Sequence, residues 1–333
     1  MNRVSLLAAA GLTGLFVLTS GCAGLDLHLH NSSVQKPSNV ALYYSVQTGD
    51  GLPVAGLTAE SFYIYEDDQL ISPFESKQTI LNPEISVVSY IILLLDLSGS
   101  ITESGSLPTL IAASSSFAER VARKHRVAVY GFDGGPKLIP VVDFTTNSKT
   151  VQSGLKRLTH RKVKDPSTNL NGAVVEATKV LELRMAKSTQ PLRFGTLVVF
   201  TDGTDRAHRV SEDEMHEVLD EADMNVFVIG LGAEISVDQL ARLGRTGFMK
   251  AAAMAALGSA FDQVAAQIEA AGRKFYLLSY CSPSRAGIHT LRVEAVSEGL
   301  SGSLEHQFNA EGFGPKCNPK QKPTFSVGRI RIK

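Results

Sequence analysis

Between residues 86 and about 275, short apolar runs alternate with segments that have helical periodicity. Several of these runs are continuous in Val, Ile and Leu, which is typical of parallel strands buried on both faces of a sheet. The strand candidates are Val87–Leu95, Arg126–Phe132, Leu138–Phe144, Thr196–Thr201, Asn225–Leu231 and Phe248–Ala251. This alternation predicts an α/β fold, an open and mostly parallel doubly wound sheet that helices cover on both faces.

The segments between these runs have the spacing of amphipathic helices. The helix candidates are Leu110–Arg123, Leu170–Met185, Ser211–Met224, Ser236–Leu243 and Ala256–Ala271. Two of them carry start signals, since Asn169 is a suitable cap and Ser211 to Glu214 fits a capping box. The signals support helices between the strands.

On either side of this region the sequence has the composition of β-structure. Val40–Val46 and Ser61–Tyr65 are β-rich runs that Gly and Pro turns separate. The strand candidates after the α/β region are Lys274–Tyr280, Thr290–Val296 and Gly302–Phe308. The tail Gly328–Lys333 alternates with a period of two, which predicts a solvated edge strand. Contact of this basic tail with an acidic membrane or polymer is the alternative.

The first 21 residues have the pattern of a secretory signal peptide, with an apolar run from Val4 to Leu18. The run is shorter than the roughly 20 residues that a transmembrane helix needs. The end of this segment, LTSGC, resembles a bacterial lipobox, although Thr19 stands where Leu is usual. The resemblance implies lipidation of Cys22, and Ala23 after it implies the outer membrane. The alternative is an ordinary signal peptide with a chance cysteine.

Residues 22–38 are polar and have no sustained period, so we expect a tether between the lipid and the fold. Two further cysteines, Cys281 and Cys317, follow much later in the chain. An exported, oxidising location predicts a disulfide between them. Two unpaired thiols are the alternative.

The first apolar strand candidate leads directly into Asp96, Ser98 and Ser100. In open α/β sheets, ligands bind outside the carboxyl ends of the strands. Two other loops bring oxygen atoms there, because Thr168 stands just before a helix and Asp202 follows an apolar strand. Hard oxygen donors of this kind suit Mg²⁺ or Mn²⁺ rather than zinc.

Asp96-x-Ser98-x-Ser100, followed by Thr168 and then by Asp202, resembles the metal-ion-dependent adhesion site of von Willebrand factor A domains. The resemblance covers residues 86–275, and the five-residue set is complete. It implies a cofactor, Mg²⁺ or Mn²⁺ with Ca²⁺ also possible, and a partner protein that supplies an acidic side chain to the ion.

In that family the two serines and the threonine ligate the ion directly or through water, and the two aspartates hold coordinated waters or bind directly. A degenerate, metal-free domain is the alternative. Asp133, Asp143 and Asp205 lie in or near the same loops, and we assign them no metal role.

The flanking β-segments are also similar to a known arrangement. Gly51–Thr58, Phe62 and the turn after Tyr65 resemble the lead-in of exported bacterial proteins that carry this A domain. The resemblance implies that residues 39–84 and 276–333 complete one β-sandwich, with the A domain, residues 85–275, between them.

Composition and motifs narrow the function classes. The chain has 33 basic and 33 acidic side chains, and this balance argues against nucleic acid as a partner. The motifs of serine hydrolases, zinc proteases and P-loop proteins do not occur, so we expect no enzyme. The leading hypothesis is a cell-envelope lipoprotein that binds a protein partner through a divalent cation. The alternatives are an envelope scaffold whose cation only stabilises it, and a metal-assisted hydrolase.

Overall fold

The computed structural model describes residues 24–81, 87–190, 192–232 and 234–325. The predicted signal peptide, Cys22 and the predicted tail strand Gly328–Lys333 lie outside this range. Among the described residues, no helix combines the length and the apolar character that crossing a membrane requires.

The centre of the molecule is a six-stranded sheet that helices cover on both faces. Its strands are β6 (Val87–Asp96), β7 (Arg126–Phe132), β8 (Ile139–Thr145), β9 (Leu192–Thr201), β10 (Met224–Leu231) and β11 (Gly247–Ala251). Their order is β11-β10-β9-β6-β7-β8, and all neighbours are parallel except β8, which runs antiparallel to β7. The predicted α/β class is confirmed.

The helices of this α/β unit connect the strands across the two faces. They are α2 (Gly99–Thr102), α3 (Leu107–Val121), α4 (Ser148–Lys156), α5 (Leu170–Ala186), α6 (Glu212–Glu221), α7 (Val237–Leu243) and α8 (Leu257–Gly272). The short α1 (Pro73–Ser76) precedes the unit, and 3-10 turns occur at 59–61, 157–160 and 254–256. Helix α4 is absent from the predicted helices, and it begins where the Asn147 side chain accepts from the N–H of Lys149 and Thr150.

The central strand β6 shows why both faces of the sheet are covered. Its alternate side chains Ile91, Leu93 and Leu95 pack into a core with α3, α4 and α8. The intervening side chains, including Ile92 and Leu94, pack into a second core with α5, α6 and α7. A strand without a polar face is stable only between two helical layers. Because β6 lies between β9 and β7, its carboxyl end lies in the middle of the sheet edge.

The chain segments before and after the α/β unit form a β-sandwich of two four-stranded sheets. Its strands are β1 (Leu25–Gln35), β2 (Asn39–Thr48), β3 (Phe62–Glu66), β4 (Gln69–Leu70), β5 (Thr79–Leu81), β12 (Phe275–Cys281), β13 (Ile288–Ser297) and β14 (Leu300–Asn309). One sheet has the order β1-β2-β12-β5 and the other β14-β13-β3-β4. Leu42 and Leu278 of the first sheet pack against Ile64 and Val293 of the second. Each sheet therefore contains strands from both ends of the chain.

The tether predicted for residues 22–38 is wrong for most of its length. Leu25–Gln35 forms β1 and pairs antiparallel with β2 along the whole strand. Leu25, Leu27 and Leu29 alternate with polar residues and pack on the sandwich core. The alternation is easily overlooked because the polar positions include two histidines, and one of these, His30, lies against the ring of Tyr43.

The predicted disulfide is confirmed, since Cys281 at the end of β12 is bonded to Cys317. The bridge closes a segment with a sequence separation of 36 residues. Beyond it the chain crosses the outer face of the first sheet, where Phe325 packs with Tyr43, Leu277 and Leu192. Because Leu192 begins β9, this small cluster joins the β-sandwich to the α/β unit.

Candidate metal centre

The predicted site residues meet at the carboxyl edge of the central sheet. Strands β6 and β9 are neighbours in parallel register, with Leu95 opposite Phe200. The next residues along the two strands, Asp96 and Thr201, therefore begin two adjacent loops at the same edge. Asp202 follows Thr201 directly. The register therefore explains why Asp96 and Asp202, more than a hundred positions apart in sequence, lie at the same edge of the sheet.

Asp96 is the buried centre of this arrangement, with no solvent exposure. Its Oδ1 accepts a hydrogen bond of 2.9 Å from the backbone N–H of Ser98. Its Oδ2 accepts one of 2.8 Å from the hydroxyl of Thr201. Burial raises the pKa of Asp96 to about 6, the charge of Asp202 adds to this shift, and the hydrogen bonds oppose it. The carboxylate is thus held in place by neutral donors and lacks a cation partner among the described residues.

The second half of the arrangement is a chain of hydroxyl and carboxylate oxygens. The hydroxyls of Ser98 and Ser100 lie 3.1 Å apart, and Ser100 donates to Oδ1 of Asp202 over 3.0 Å. Burial raises the pKa of Asp202, and nearby Glu234 raises it further while Arg206 lowers it. Ser98 is buried whereas Ser100 is exposed, so the oxygens are accessible from solvent on the Ser100 side.

The third loop brings Thr168 to the same edge. The backbone N–H of Gly99 donates to the carbonyl of Pro166 over 2.9 Å. The carbonyl of Thr168 itself accepts from the N–H groups of Arg206 and Ala207, at 2.8 and 3.0 Å. Thr168 is 4% exposed and stands two residues before α5. Backbone bonds therefore tie its loop to both of the other two.

Residues 91–204, which include all five predicted ligands, match the family model of the von Willebrand factor type A domain. The chain contains a von Willebrand factor type A domain. No curated protein matches the chain.

Several solved structures are similar to the chain at low sequence identity. Proximal thread matrix protein 1 from the mussel byssus, with a zinc-occupied MIDAS (metal-ion-dependent adhesion site) motif, has 16% identity and a TM-score of 0.47 over 55% of this chain and 48% of that chain. This chain thus spans about half the length of the mussel protein. A von Willebrand factor type A structure from Catenulispora acidiphila has 10% identity and a TM-score of 0.45, covering 88% and 75% of the two chains. Manganese-loaded TRAP protein from Plasmodium vivax has 15% identity and a TM-score of 0.46, covering 72% and 98%.

Two features of the A domain's site were not assigned from the sequence. Thr201 had no role, yet its hydroxyl lies 2.8 Å from Oδ2 of Asp96 and 2.9 Å from the carbonyl oxygen of Gly203, two acceptors that share its single proton. Its position between an apolar strand and Asp202 was the available signal. Arg206 forms an ion pair with Glu234 beside Asp202, in which one guanidinium nitrogen donates to both carboxylate oxygens. Nothing in the sequence marks this pair, because its members come from different loops.

The three acids that received no metal role stabilise loops and a strand. Asp133 accepts from the N–H of Gly135, and Asp205 accepts from the N–H groups of Asn171 and His208. Asp143 accepts from its neighbour Phe144 on β8. In these contacts the carboxylates satisfy backbone donors, which is a common use of Asp in loops.

The donor set fits a hard divalent cation. Within the described ranges, no group of three or more His, Cys, Asp or Glu side chains is placed to hold a metal. Any cation at this edge would therefore need the hydroxyl oxygens beside the two aspartates. Mg²⁺ accepts such a set, since it binds few carboxylates and keeps several waters.

Proposed function

We propose that the A domain binds a divalent cation, Mg²⁺ or Mn²⁺ with Ca²⁺ also possible, and through it holds an acidic side chain of a protein partner. The residues that would hold the ion are Asp96, Ser98, Ser100, Thr168 and Asp202. The observation that carries the proposal is the continuous oxygen chain from Ser98 through Ser100 to Asp202, beside the buried Asp96. When bound, the ion would supply a positive charge with an open position for a carboxylate oxygen.

The chain's own residues would have two different roles in holding the ion. The hydroxyls of Ser98, Ser100 and Thr168 would act as neutral ligands, which leaves the ion attractive to an external carboxylate. Asp96 and Asp202 would supply the negative charge and orient coordinated waters or bind directly. The exposure of Ser100 supports an opening toward the partner on that side.

The proposal includes a location, the cell envelope, where the chain would be anchored by lipid on Cys22, in the outer membrane. The sequence of the first 22 residues supports this location. The disulfide between Cys281 and Cys317 supports it as well, because such bonds persist in oxidising compartments. The role proposed is binding and not catalysis.

Titration calorimetry with Mg²⁺ and Mn²⁺ tests the cation site. We expect binding by the unmodified chain, and loss of binding in the Asp96→Ala and Ser100→Ala variants. The matched control is Asp143→Ala, which removes an exposed carboxylate of β8 and should bind as the unmodified chain does. The proposal fails if the unmodified chain takes up neither ion, or if both site variants bind with unchanged affinity.

A further inference from the structure

One stretch of the A domain carries positive charge without any acidic residue. From residue 144 to residue 164 there are six Lys and Arg side chains and no Asp or Glu. The whole chain has equal numbers of acids and bases, so the stretch is a local excess. Arg161, Lys162 and Lys164, which we call the basic edge, are all exposed.

The topology brings the basic edge to the side of the sheet that holds the candidate metal centre. Strand β8 runs antiparallel to β7, so α4 returns the chain to the carboxyl end of β6. Arg161 and Val163 line a small cavity together with Leu97 and Thr102, which flank the serines of the site. Lys164 precedes Thr168 by four residues, which limits their Cα separation to about 14 Å.

The basic edge is held in a defined position. Leu158 is buried in the core beneath it, and its carbonyl accepts from the N–H of Arg161 over 3.0 Å. At the other end, the carbonyl of Asp165 accepts from the N–H of Gly134 over 3.1 Å. Because the backbone is anchored at both ends, a ligand would need to order only the side chains of the basic edge and not the loop that carries them.

The charges of the basic edge are not neutralised by the acids around it. Asp165 pairs with Arg209, and Glu234 pairs with Arg206. Within the described ranges, no ion pair involves Arg161, Lys162 or Lys164. Glu103, at the end of α2, is exposed, and Asp133 lines the same small cavity as Arg161, so these two acids offer two negative charges against the three positive ones.

We propose that the basic edge is the second half of the partner site and that the partner is an acidic protein segment. The inference rests on the proposed function, because one carboxylate of the segment would approach the cation while others contact the basic edge. An extended chain advances about 3.3 Å per residue, so acids roughly four residues from the metal-binding one can reach Lys164. Complementary charge of this kind would speed encounter and select acidic partners over neutral ones.

Fluorescence anisotropy with a labelled hexaglutamate peptide tests the proposal on the full chain in neutral detergent and Mg²⁺. A peptide with one Glu among Gly and Ser residues serves as the probe for the metal contact alone. The test variant is Arg161→Gln/Lys162→Gln/Lys164→Gln. The matched control is Arg123→Gln/Lys149→Gln/Lys187→Gln, which removes one exposed Arg and two exposed Lys near the opposite edge of the sheet.

We expect the test variant to bind hexaglutamate about tenfold more weakly at low ionic strength, with the loss shrinking as salt rises. The control variant should bind as the unmodified chain does, and the single-Glu peptide should bind both variants equally. Equal hexaglutamate affinity of the two variants would overturn the inference, as would failure of the unmodified chain to bind hexaglutamate. Tighter binding of a sulfated polysaccharide, lost in the test variant, would overturn the protein nature of the partner.

Mg²⁺-induced thermal stabilisation, measured on the same samples, separates this inference from the proposed function. Stabilisation of the unmodified chain and of both variants, with no difference in peptide affinity, would overturn the basic edge alone. Absence of stabilisation in the unmodified chain would overturn the cation site on which the inference rests.

Discussion

Replacing Asp96 by asparagine should stabilise the metal-free protein, although it removes a residue at the centre of the proposed site. Asp96 has no solvent exposure, and burial raises its pKa from 3.8 to about 6. A carboxyl group whose pKa is higher in the folded state than in the unfolded state disfavours folding when it is ionised. Above pH 6 the folded chain therefore carries the full cost of the buried charge, and below pH 3.8 it carries none.

The size of the effect follows from the pKa. Each unit of difference corresponds to about 1.4 kcal/mol, so the shift of Asp96 corresponds to about 3 kcal/mol. The amide fits the site, because its oxygen can accept from Ser98 and its nitrogen can donate to the hydroxyl of Thr201. That hydroxyl already lies 2.9 Å from the carbonyl of Gly203 and can donate there instead. The free energy of unfolding should therefore rise by up to about 3 kcal/mol at pH 7.5 in chelator.

Urea unfolding followed by circular dichroism measures this change, since the chain has no Trp for fluorescence. The gain of Asp96→Asn should shrink as pH falls below 6 and vanish near pH 4. In Mg²⁺ the order should reverse, because the cation would stabilise the unmodified chain and not the variant. Asp143→Asn, at an exposed carboxylate, is the control and should change stability by less than about 0.5 kcal/mol. A variant less stable than the unmodified chain in chelator, or a gain independent of pH, would show that the buried charge of Asp96 does not destabilise the fold.

Three further predictions concern the site and the disulfide of the sandwich. Mg²⁺ affinity should fall as pH drops below about 6, by up to tenfold per pH unit, because protonated Asp96 no longer attracts the cation. Calorimetry between pH 5 and 8 measures this affinity, and a profile independent of pH would contradict the role of Asp96. Thr201→Val should weaken Mg²⁺ binding about tenfold, because Asp96 loses a hydrogen-bond donor. Thr204→Val is the control in the same loop. Equal Mg²⁺ affinities of the two variants would show that the hydrogen bond from Thr201 to Asp96 does not support the site. The Cys281→Ser/Cys317→Ser variant should have a free energy of unfolding lower by about 3 to 4 kcal/mol, because the disulfide spans a sequence separation of 36 residues. Urea unfolding without reductant measures this change, and unchanged stability would show that the bridge does not constrain the unfolded chain.

The α/β unit was predictable because its strands carry a signal that survives without tertiary context. An uninterrupted run such as Ile91–Leu95 can only be buried on both faces, and its end then defines the ligand edge. Asp96 follows that run and Asp202 follows a second one, so the sequence alone places both acids at one edge of the sheet.

The features that were missed depend on contacts between distant segments. Strand β1 alternates like a strand, but its polar residues resemble a tether, and only its pairing with β2 distinguishes the two. Helix α4 has few apolar side chains, and only the burial of Val151 and Leu155 against neighbouring elements shows its role. The pairing of Arg206 with Glu234 likewise requires two loops to meet. Sequence patterns report burial well, and they report such long-range polar contacts poorly.

Anomalous diffraction from a crystal of the chain soaked in Mn²⁺ would locate the proposed cation itself. We expect a single strong peak at the carboxyl edge of the sheet, about 2.1 Å from the hydroxyl oxygens of Ser98 and Ser100. The same peak should be absent in crystals of the Asp96→Asn variant. A peak elsewhere on the molecule, with the hydroxyls of Ser98 and Ser100 still bonded as they are here, would contradict the proposed cation site, and so would the absence of any peak.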